Sequence, residues 1–398
     1  MSQLIKSPTE LRMWETAKTE PERILTDDEI NQKYGKRELR IVTEMNREQL
    51  PNFVEALKRP NWMQLRPFYQ RRQRWDDHRQ SKLIESFIMN IPVPPLFVYE
   101  SDFAKYEVMD GQQRITSINE FYSDRLKLCG LEQWPELNGR IYKRLPSEIR
   151  KGLDRRAISY IVLLKESAAT TDEEALLRQQ VFERLNTGGV TLTNQEIRHC
   201  IYHGKFDELL MELTKHPLMR KAWGLPPYGA DEEQNPPEEL LKRPHFAQMR
   251  DAEIILRFFA LRHAAQYRGG MQTFLDQYMV RARRFQVEDI DVLRDVFLRT
   301  IELAAAIYED HLFHPWDKDK IRWSERAQIA YADAVMVGCS LFLNEADTLK
   351  SHRNEIIDAT RRLFAEQPAG TFTGQKNTKN DVEGRINLFR GMLEHFAA

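Results

Sequence analysis

The pattern of hydrophobic and polar positions changes character along the chain. Two short apolar and aromatic runs, 96–99 and 106–109, are typical of β-strands. Shortly after the second run, Ile118 and Phe121 fall at the spacing of one helix face. An Asp-Gly pair at 110–111 lies between the run and this helix and favours a turn. The pattern therefore predicts two strands, a tight turn and a helix in that order.

Amphipathic patterns predict further elements on both sides of this region. Residues 47–59 and 83–88 repeat apolar side chains at helical spacing, and a proline-rich segment at 92–95 ends the second helix. Residues 158–164 form an apolar run that is typical of a buried strand. From about residue 206 the strand signals stop and helical periodicity takes over. The helical segments are 248–267, 271–285, 288–313, 324–345 and 348–366.

These patterns predict the α+β fold class, with strands and helices first and an all-α helical domain after them. A chain of 398 residues is long enough for about two domains, each with its own core. We expect an N-terminal extension at 1–29, an α+β domain at 30–205 and an α-helical domain at 206–398.

The composition limits the class of protein. The chain has 59 Lys and Arg against 60 Asp and Glu, so any contact with nucleic acid depends on a local patch. Its three cysteines lie far apart without a CxxC pair, which disfavours a zinc site or disulfides and fits a reducing cytosol. No apolar run reaches the about 18 residues of a membrane span, and no apolar signal core begins the chain. We therefore expect a cytoplasmic protein without a membrane partner.

The Asp-Gly turn carries the first candidate site. A glycine there lets a ligand approach the backbone closely, and the N–H groups at the start of a helix favour an anion. Gln112 and Gln113 add hydrogen-bond donors and acceptors, and Arg114 adds a forked cation suited to phosphate oxygens. The residues favour a phosphate site, and an ordinary turn with a helix cap is the alternative.

A basic and aromatic segment precedes the helix at 83–88. Five arginines stand between Arg66 and Arg79, interleaved with aromatic side chains. This mixture suits contact with nucleic-acid phosphates and stacking on bases. The residues expected to bind DNA are Tyr69, Gln70, Arg72 and Arg74. The alternative is an exposed basic strand edge that arginine keeps soluble.

Other polar groups carry less information. His199 and His203 stand four apart, a spacing that can bind zinc, but no third ligand lies nearby in sequence, so we expect core or solvent-facing histidines. Residues 310–314 resemble the start of an HNH-type nuclease motif, yet its asparagine and second histidine do not follow. The turn at 186–189 either presents Asn186 to a ligand or only ends a helix. None of these residues is predicted to bind a metal ion.

Several of these segments also occur together in a known family. The matching segments are 69–71 with Trp75, 83–86, 91–94, 110–116 with the sequence DGQQRIT, 182–192 and 196–198. In order and spacing they resemble the N-terminal domain of GmrSD-type restriction proteins and of the phosphorothioate-sensing defence effector SspE. The resemblance covers residues 40–215 and implies a ParB/sulfiredoxin-like domain with a small mixed sheet. The C-terminal HNH nuclease domain of the restriction proteins is not matched, because the helical half lacks its motif.

The resemblance implies nucleoside triphosphate binding and hydrolysis, coupled to defence against foreign or modified DNA. Gln112 or Gln113 would orient the attacking water, as glutamine does in GTPases, and Asp110 would hold Mg²⁺ or take a proton. The residues expected to bind the nucleotide are Gly111, Arg114, Thr116, Arg71 and Asn186.

Three functions are compatible with these residues. The first is a nucleotide-dependent sensor or regulator that acts with a separate nuclease or other effector protein. The second is a non-enzymatic DNA-binding or scaffold protein, in which the turn only holds structure. The third and weaker one is a ParB-like nuclease, for which the sequence offers no convincing carboxylate cluster. DNA is the expected partner, and a homo-oligomer is compatible with all three.

Overall fold

The computed structural model describes residues 4–15, 26–28, 31–32, 43–64, 75–164, 181, 184, 193–230, 232, 236–368, 370–374 and 377–397. The chain forms two compact units, a helical unit of residues 1–19 and 193–398 and an α+β unit of residues 20–192. The first helix, α1 (Pro8–Arg12), belongs to the helical unit. The α+β unit is therefore inserted between two parts of the helical unit.

The α+β unit is built around one five-stranded sheet. Its elements are β1 (Thr43–Gln49), α2 (Leu50–Leu57), β2 (Met63–Gln64), α3 (Asp77–Ile88), β3 (Leu96–Asp102), β4 (Lys105–Asp110), α4 (Gln112–Tyr122), α5 (Ser147–Asp154) and β5 (Ala157–Leu163). The strand order is β1-β5-β3-β4-β2. Neighbours β1 and β5, and β3 and β4, are antiparallel, whereas β5 with β3 and β4 with β2 are parallel.

The apolar faces of these elements meet in one core. Phe53 of α2, Ile84 of α3 and Ile118 of α4 are fully buried there. Leu96 and Val98 of β3 lie in the same cluster, because alternate residues of a strand face one side of the sheet. The core therefore fixes α4, and with it the turn that precedes it, against the central strands.

The helical unit follows the α+β unit in the chain. Its further elements are α6 (Asn194–Ile201), α7 (Lys205–Leu213), α8 (Pro217–Ala222), α9 (Glu238–Leu241), α10 (Pro244–Ala247), α11 (Arg250–Leu261), α12 (Gly270–Ala282), α13 (Val287–Tyr308), β6 (Trp316–Asp317), β7 (Arg322–Trp323), α14 (Ile329–Ser340), α15 (Ala346–Ser351), α16 (Arg353–Glu366) and α17 (Lys379–Glu394). Helix α14 is buried along almost its whole length. Its Asp333 pairs with the buried Arg257 of α11 through Nε at 3.0 Å, which satisfies two charges inside the core.

Residues 193–205 belong to the helical unit, whereas the sequence analysis divided the chain after residue 205. Arg198 of α6 is fully buried and donates to Asp276 of α12 at 2.6 Å. It also forms an ion pair with Glu253 of α11 at 3.3 Å. These contacts join α6 to helices that follow it by more than fifty residues, a relationship that periodicity does not reveal.

The structure confirms the α+β class, with a small mixed sheet first and a mostly helical region after it. One local prediction was wrong. Residues 47–49 lie in strand β1 and not in the predicted helix, which begins at Leu50. Strand β1 is polar and largely exposed, so it has no alternating apolar pattern, and its pairing with β5 decides its conformation. The segments predicted as helix at 288–313 and 324–345 flank the two-stranded hairpin β6–β7.

Among the described residues, no single helix is both long and apolar enough to cross a membrane. One bent pair, α14 followed by residues 343–351, meets the length and composition criteria together.

Candidate functional site

The predicted turn lies between β4 and α4. Asp110 ends β4 opposite Phe97 of β3, and Gly111 adopts a left-handed conformation with φ of 95° before α4 begins. An added Cβ on Gly111 would lie 2.3 Å from Cδ2 of Leu96, so both the backbone angle and the packing require glycine. Among the described residues, no side chain caps the start of α4. Gly111 and Gln112 are buried at this turn, whereas the Asp110 side chain beside them is half-exposed.

Arg114 ties this turn to the segment before β3. Its Nη1 donates to the carbonyl oxygens of Pro94 at 2.5 Å and Pro95 at 3.3 Å. Its Nη2 donates to the Asp110 carboxylate at 2.5 Å, an i, i+4 ion pair. Only 11% of the Arg114 side chain is exposed, against 50% for Asp110. The guanidinium therefore lies beneath the turn, and the carboxylate forms its outer side.

Gln113 connects the turn to the end of the basic segment. Its Oε1 accepts a hydrogen bond from the backbone N–H of Trp75 at 3.1 Å. The Trp75 carbonyl accepts a second hydrogen bond from Gln80 Nε2 at 3.0 Å, and the Arg79 guanidinium lies over the Trp75 ring. The structure thus brings together two features that the sequence placed 38 residues apart.

The remaining predicted residues of this region fall into two groups. Gln112 is buried and Thr116 is half-buried on α4. The predicted residues that lie outside the described part of the chain are Tyr69, Gln70, Arg71, Arg72, Arg74 and Asn186. The structure therefore places five predicted residues, Asp110, Gly111, Gln112, Gln113 and Arg114, around one strand-to-helix turn.

A tyrosine cluster at the far end of α4 was not predicted. Tyr122 and Tyr142 both donate to Asp154 of α5, at 3.0 Å and 2.9 Å, with their rings 4.4 Å apart. Burial, the hydrogen bond to Asp154 and its charge raise the pKa of Tyr142 to about 12, and burial followed by the Asp154 charge raises the pKa of Tyr122. Both hydroxyls therefore stay protonated donors, and the Tyr122 bond holds α4 against α5. Since these residues lie up to 32 positions apart, no local sequence pattern identifies the cluster.

The paired histidines of the helical unit share one carboxylate. His199 Nδ1 lies 2.8 Å from Oδ1 of Asp207, and His203 Nδ1 lies 3.1 Å from its Oδ2. Burial alone would raise the pKa of Asp207, but the two histidines lower it overall. The structure therefore places His199 in the core and His203 at its boundary.

The histidines of the nuclease-like segment lie beside the β6–β7 hairpin. The His311 ring stacks on Trp323 with centroids 5.3 Å apart, and His314 Nδ1 lies 2.7 Å from the Ser324 carbonyl oxygen. Burial lowers the pKa of His311, and the neighbouring His314 adds to this effect. Within the described ranges, no group of three or more His, Cys, Asp or Glu side chains could hold a metal ion.

A family model of known proteins matches part of the chain. Residues 54–203 match the family model described as GmrSD restriction endonuclease, N-terminal domain. No curated protein and no solved structure matches the chain significantly. The matched residues include the turn, Arg114 and Trp75, and they continue into α6. This match supports a GmrSD-type restriction family N-terminal domain over residues 54–203 and points to a restriction- or defence-related protein.

Proposed function

We propose that the α+β unit binds and hydrolyses a nucleoside triphosphate at the Gly111 turn, and that the protein is a sensor or regulator in defence against foreign or modified DNA. A separate nuclease or other effector protein would then act on the DNA. The observation that carries the proposal is the turn itself. A strand ends at Asp110, a left-handed Gly111 follows, and an eleven-residue helix begins without a side-chain cap. Helix starts of this kind favour phosphate groups.

The proposed roles follow the geometry of the turn. The Gly111 backbone and the first amides of α4 would receive phosphate oxygens. Arg114 already binds one anion, the Asp110 carboxylate, and a phosphate could replace that carboxylate on the same guanidinium. Thr116 lies on α4, one position outside its first turn, and would complete the described part of the nucleotide site. Arg71 and Asn186 are proposed to contact the nucleotide from the undescribed segments.

The residues also fit a Mg²⁺ ion that arrives with the nucleotide. Asp110 offers one half-exposed carboxylate at the turn, and no group of three ligating side chains lies in the described part of the chain. The phosphates and water would therefore supply most of the oxygen ligands, as Mg²⁺ sites with nucleotides commonly do. Gln112 or Gln113 would orient the attacking water, and Asp110 would either hold the ion or accept the proton of that water.

The contact between Gln113 and Trp75 supports a role for DNA. Trp75 directly follows the arginine-rich segment, which contains the proposed DNA-binding residues Tyr69, Gln70, Arg72 and Arg74. Its backbone is held by the helix that begins at the nucleotide turn. Nucleotide and DNA would therefore bind to neighbouring parts of one unit.

A specific observation favours a second candidate, a DNA-binding or scaffold protein without nucleotide chemistry. Arg114 already donates to two carbonyl oxygens and one carboxylate, and the backbone angle and the Leu96 contact both require Gly111. The structural contacts of Arg114 and Gly111 therefore explain why these two residues are needed, without any bound ligand.

Titration calorimetry with each of the four nucleotides and Mg²⁺, with and without DNA, separates the two candidates. For the sensor we expect binding that Arg114→Ala weakens by about 1.5–3 kcal/mol, the usual worth of a charged hydrogen bond. Arg125→Ala is the matched control, because Arg125 pairs with Glu120 at the other end of α4. If the folded wild-type protein binds none of the four nucleotides, with or without DNA, the sensor is excluded and the DNA-binding or scaffold protein remains.

The DNA role has its own test. If Arg71, Arg72 and Arg74 contact phosphates, the DNA affinity should fall steeply with salt. Each arginine replaced by alanine should then flatten the slope of log K against log salt by about one unit. Absence of DNA binding at low salt would contradict this role without affecting the nucleotide site.

A further inference from the structure

Residues 4–15 pack onto the helical unit through a buried ion cluster. The Glu10 side chain is 0% exposed, and its Oε1 lies 2.9 Å from Nε2 of His263 and 3.3 Å from Nη1 of Arg262. These partners follow α11, more than 250 residues later in the chain. Burial alone would raise the pKa of the Glu10 carboxyl, but Arg262 and the hydrogen bond with His263 lower it overall. Glu10 therefore docks as a carboxylate.

The backbone of the segment is shaped to present Glu10. Ser7 caps α1 by accepting from the Glu10 N–H at 3.2 Å, and the Glu10 carboxylate accepts from the Ser7 N–H at 3.2 Å. Two further contacts join this backbone to the helical unit. The Thr9 N–H donates to Asp289 of α13 at 3.0 Å, and Arg262 donates to the Ile5 carbonyl oxygen. One helical turn therefore carries both the charge and the backbone groups that bind the unit.

The end of the segment adds an aromatic contact. The Trp14 ring stacks on Phe274 of α12 with centroids 5.7 Å apart. The Arg281 guanidinium lies over the Trp14 ring, 4.4 Å from the ring centroid, which is a cation–π distance. Met13, the residue before Trp14, is also buried. The segment thus resembles a short peptide bound to a groove, with one buried acid and one aromatic anchor.

The same interface contains buried polar atoms that lack hydrogen-bond partners within the described residues. They are Trp14 Nε1, Arg262 Nε and the Tyr278 hydroxyl. A buried group of this kind without a partner costs free energy in the closed arrangement, and contact with water in an open arrangement would recover it. The segment is therefore held less firmly than its buried contacts alone indicate.

We propose that residues 4–15 form a detachable clip, which closes on the helical unit through Glu10 and Trp14 and opens while the rest of that unit stays folded. The α+β unit, residues 20–192, lies between the clip and Thr193 in the chain. When the clip is closed, the chain ties this unit to the helical core at both ends. When it is open, one connection is left, so the clip regulates how the two units are tethered.

Hydrogen exchange of the full-length protein tests the clip directly. The reporters are the amides of Thr9, Glu10 and Leu11, which bind Asp289, the Ser7 hydroxyl and the Ser7 carbonyl oxygen. We expect them to exchange more slowly than in a free peptide of residues 1–19, but at least about tenfold faster than the amides of α14, because local opening needs less free energy than global unfolding. In Glu10→Gln their exchange should accelerate by about ten- to a hundredfold, with α14 unchanged.

Two controls make the outcome decisive. Glu15→Gln removes the same charge from an exposed position of the same segment and should leave the exchange unchanged. Arg281→Ala weakens only the aromatic end and should accelerate exchange less than Glu10→Gln. Equal exchange rates for the clip and α14 in the wild-type protein would show an integral core element and overturn the proposal. Exchange at the free-peptide rate would overturn it too, since nothing would then be docked.

Discussion

The Oε1 atom of Gln113 accepts the backbone N–H of Trp75 at 3.1 Å. This bond joins the first turn of α4 to the residue that follows the arginine-rich segment. The Trp75 carbonyl oxygen is held separately, because it accepts a hydrogen bond from the Gln80 side chain. Trp75 is therefore positioned from two helices, and each contact can be removed separately.

Gln113→Ala should expose the Trp75 amide to faster hydrogen exchange. The expected acceleration is about five- to tenfold, the worth of one ordinary hydrogen bond of about 1 kcal/mol. Gln113→Glu keeps an acceptor at this position and should retain most of the protection. Gln80→Ala is the matched control, since it frees the carbonyl oxygen and not the N–H. Equal acceleration in all three variants would show that the Gln113 side chain does not hold Trp75.

Gly111→Ala should destabilise the α+β unit by about 2–4 kcal/mol. A left-handed alanine costs about 1–2 kcal/mol, and the contact with Leu96 adds overpacking. The added Cβ would lie 2.3 Å from Leu96 Cδ2, so Gly111→Ala should cost less in a Leu96→Ala background than in the wild-type protein. Chemical denaturation measures both effects.

A glycine inside α5 provides the control for this prediction. Gly152 has no neighbour within 4 Å of an added Cβ, so Gly152→Ala should be neutral or slightly stabilising. A Gly111→Ala variant as stable as the wild type would contradict the geometry of the turn.

Arg114→Ala should lower the free energy of unfolding of the α+β unit by about 1.5–3 kcal/mol, because two proline carbonyl oxygens lose a charged donor. Arg114→Lys keeps the charge but not the fork, so it should recover only part of this loss. The surface pair of Arg125 with Glu120 contributes less than about 1 kcal/mol, and Arg125→Ala should show that smaller effect. Identical denaturation curves for both alanine variants would show that the Arg114 contacts add nothing.

The clip should loosen as the pH falls. Burial lowers the pKa of His263 below its usual 6.5, with Glu10 opposing and Lys6 and Arg262 adding to the shift. Tyr278 of α12 also faces this ring, and its pKa is raised by burial, so it stays neutral. Opening of the clip would hydrate the His263 ring and return its pKa toward 6.5, so docking is strongest above pH 6.5 and weakens as the pH falls below it. The pKa of Glu10 is lowered in the closed clip, so protonation of this carboxylate below pH 4.5 also weakens docking.

The measurement is the protection of the Thr9, Glu10 and Leu11 amides at pH 7.5 and 5.5, corrected for intrinsic exchange. Each proton taken up on opening can reduce the protection by up to about tenfold per pH unit. His263→Gln removes this titration and should flatten the dependence between the two values. Protection that increases toward pH 5.5 in the wild-type protein would contradict the assigned direction.

Much of the turn was predictable because its determinants are local. The apolar runs at 96–99 and 106–109 lie within β3 and β4, and the apolar spacing after Gly111 gives α4. Glycine at a strand-to-helix junction indicates a special backbone angle, and φ of 95° at Gly111 confirms it. What the residue types could not show was the partner of Arg114, since the carbonyl groups of Pro94 and Pro95 carry no sequence signal of their own.

The sequence by itself determined the α+β class, the helical second part and the position of the turn, because burial of apolar faces repeats with the period of each element. Tertiary structure alone decided three other features. Strand β1 exists through its pairing with β5, α6 joins the helical unit through Arg198, and the segment around Glu10 packs on residues more than 250 positions away. In each case the stabilising partner is distant in sequence, and the energy of a contact depends on position in space and not on local pattern.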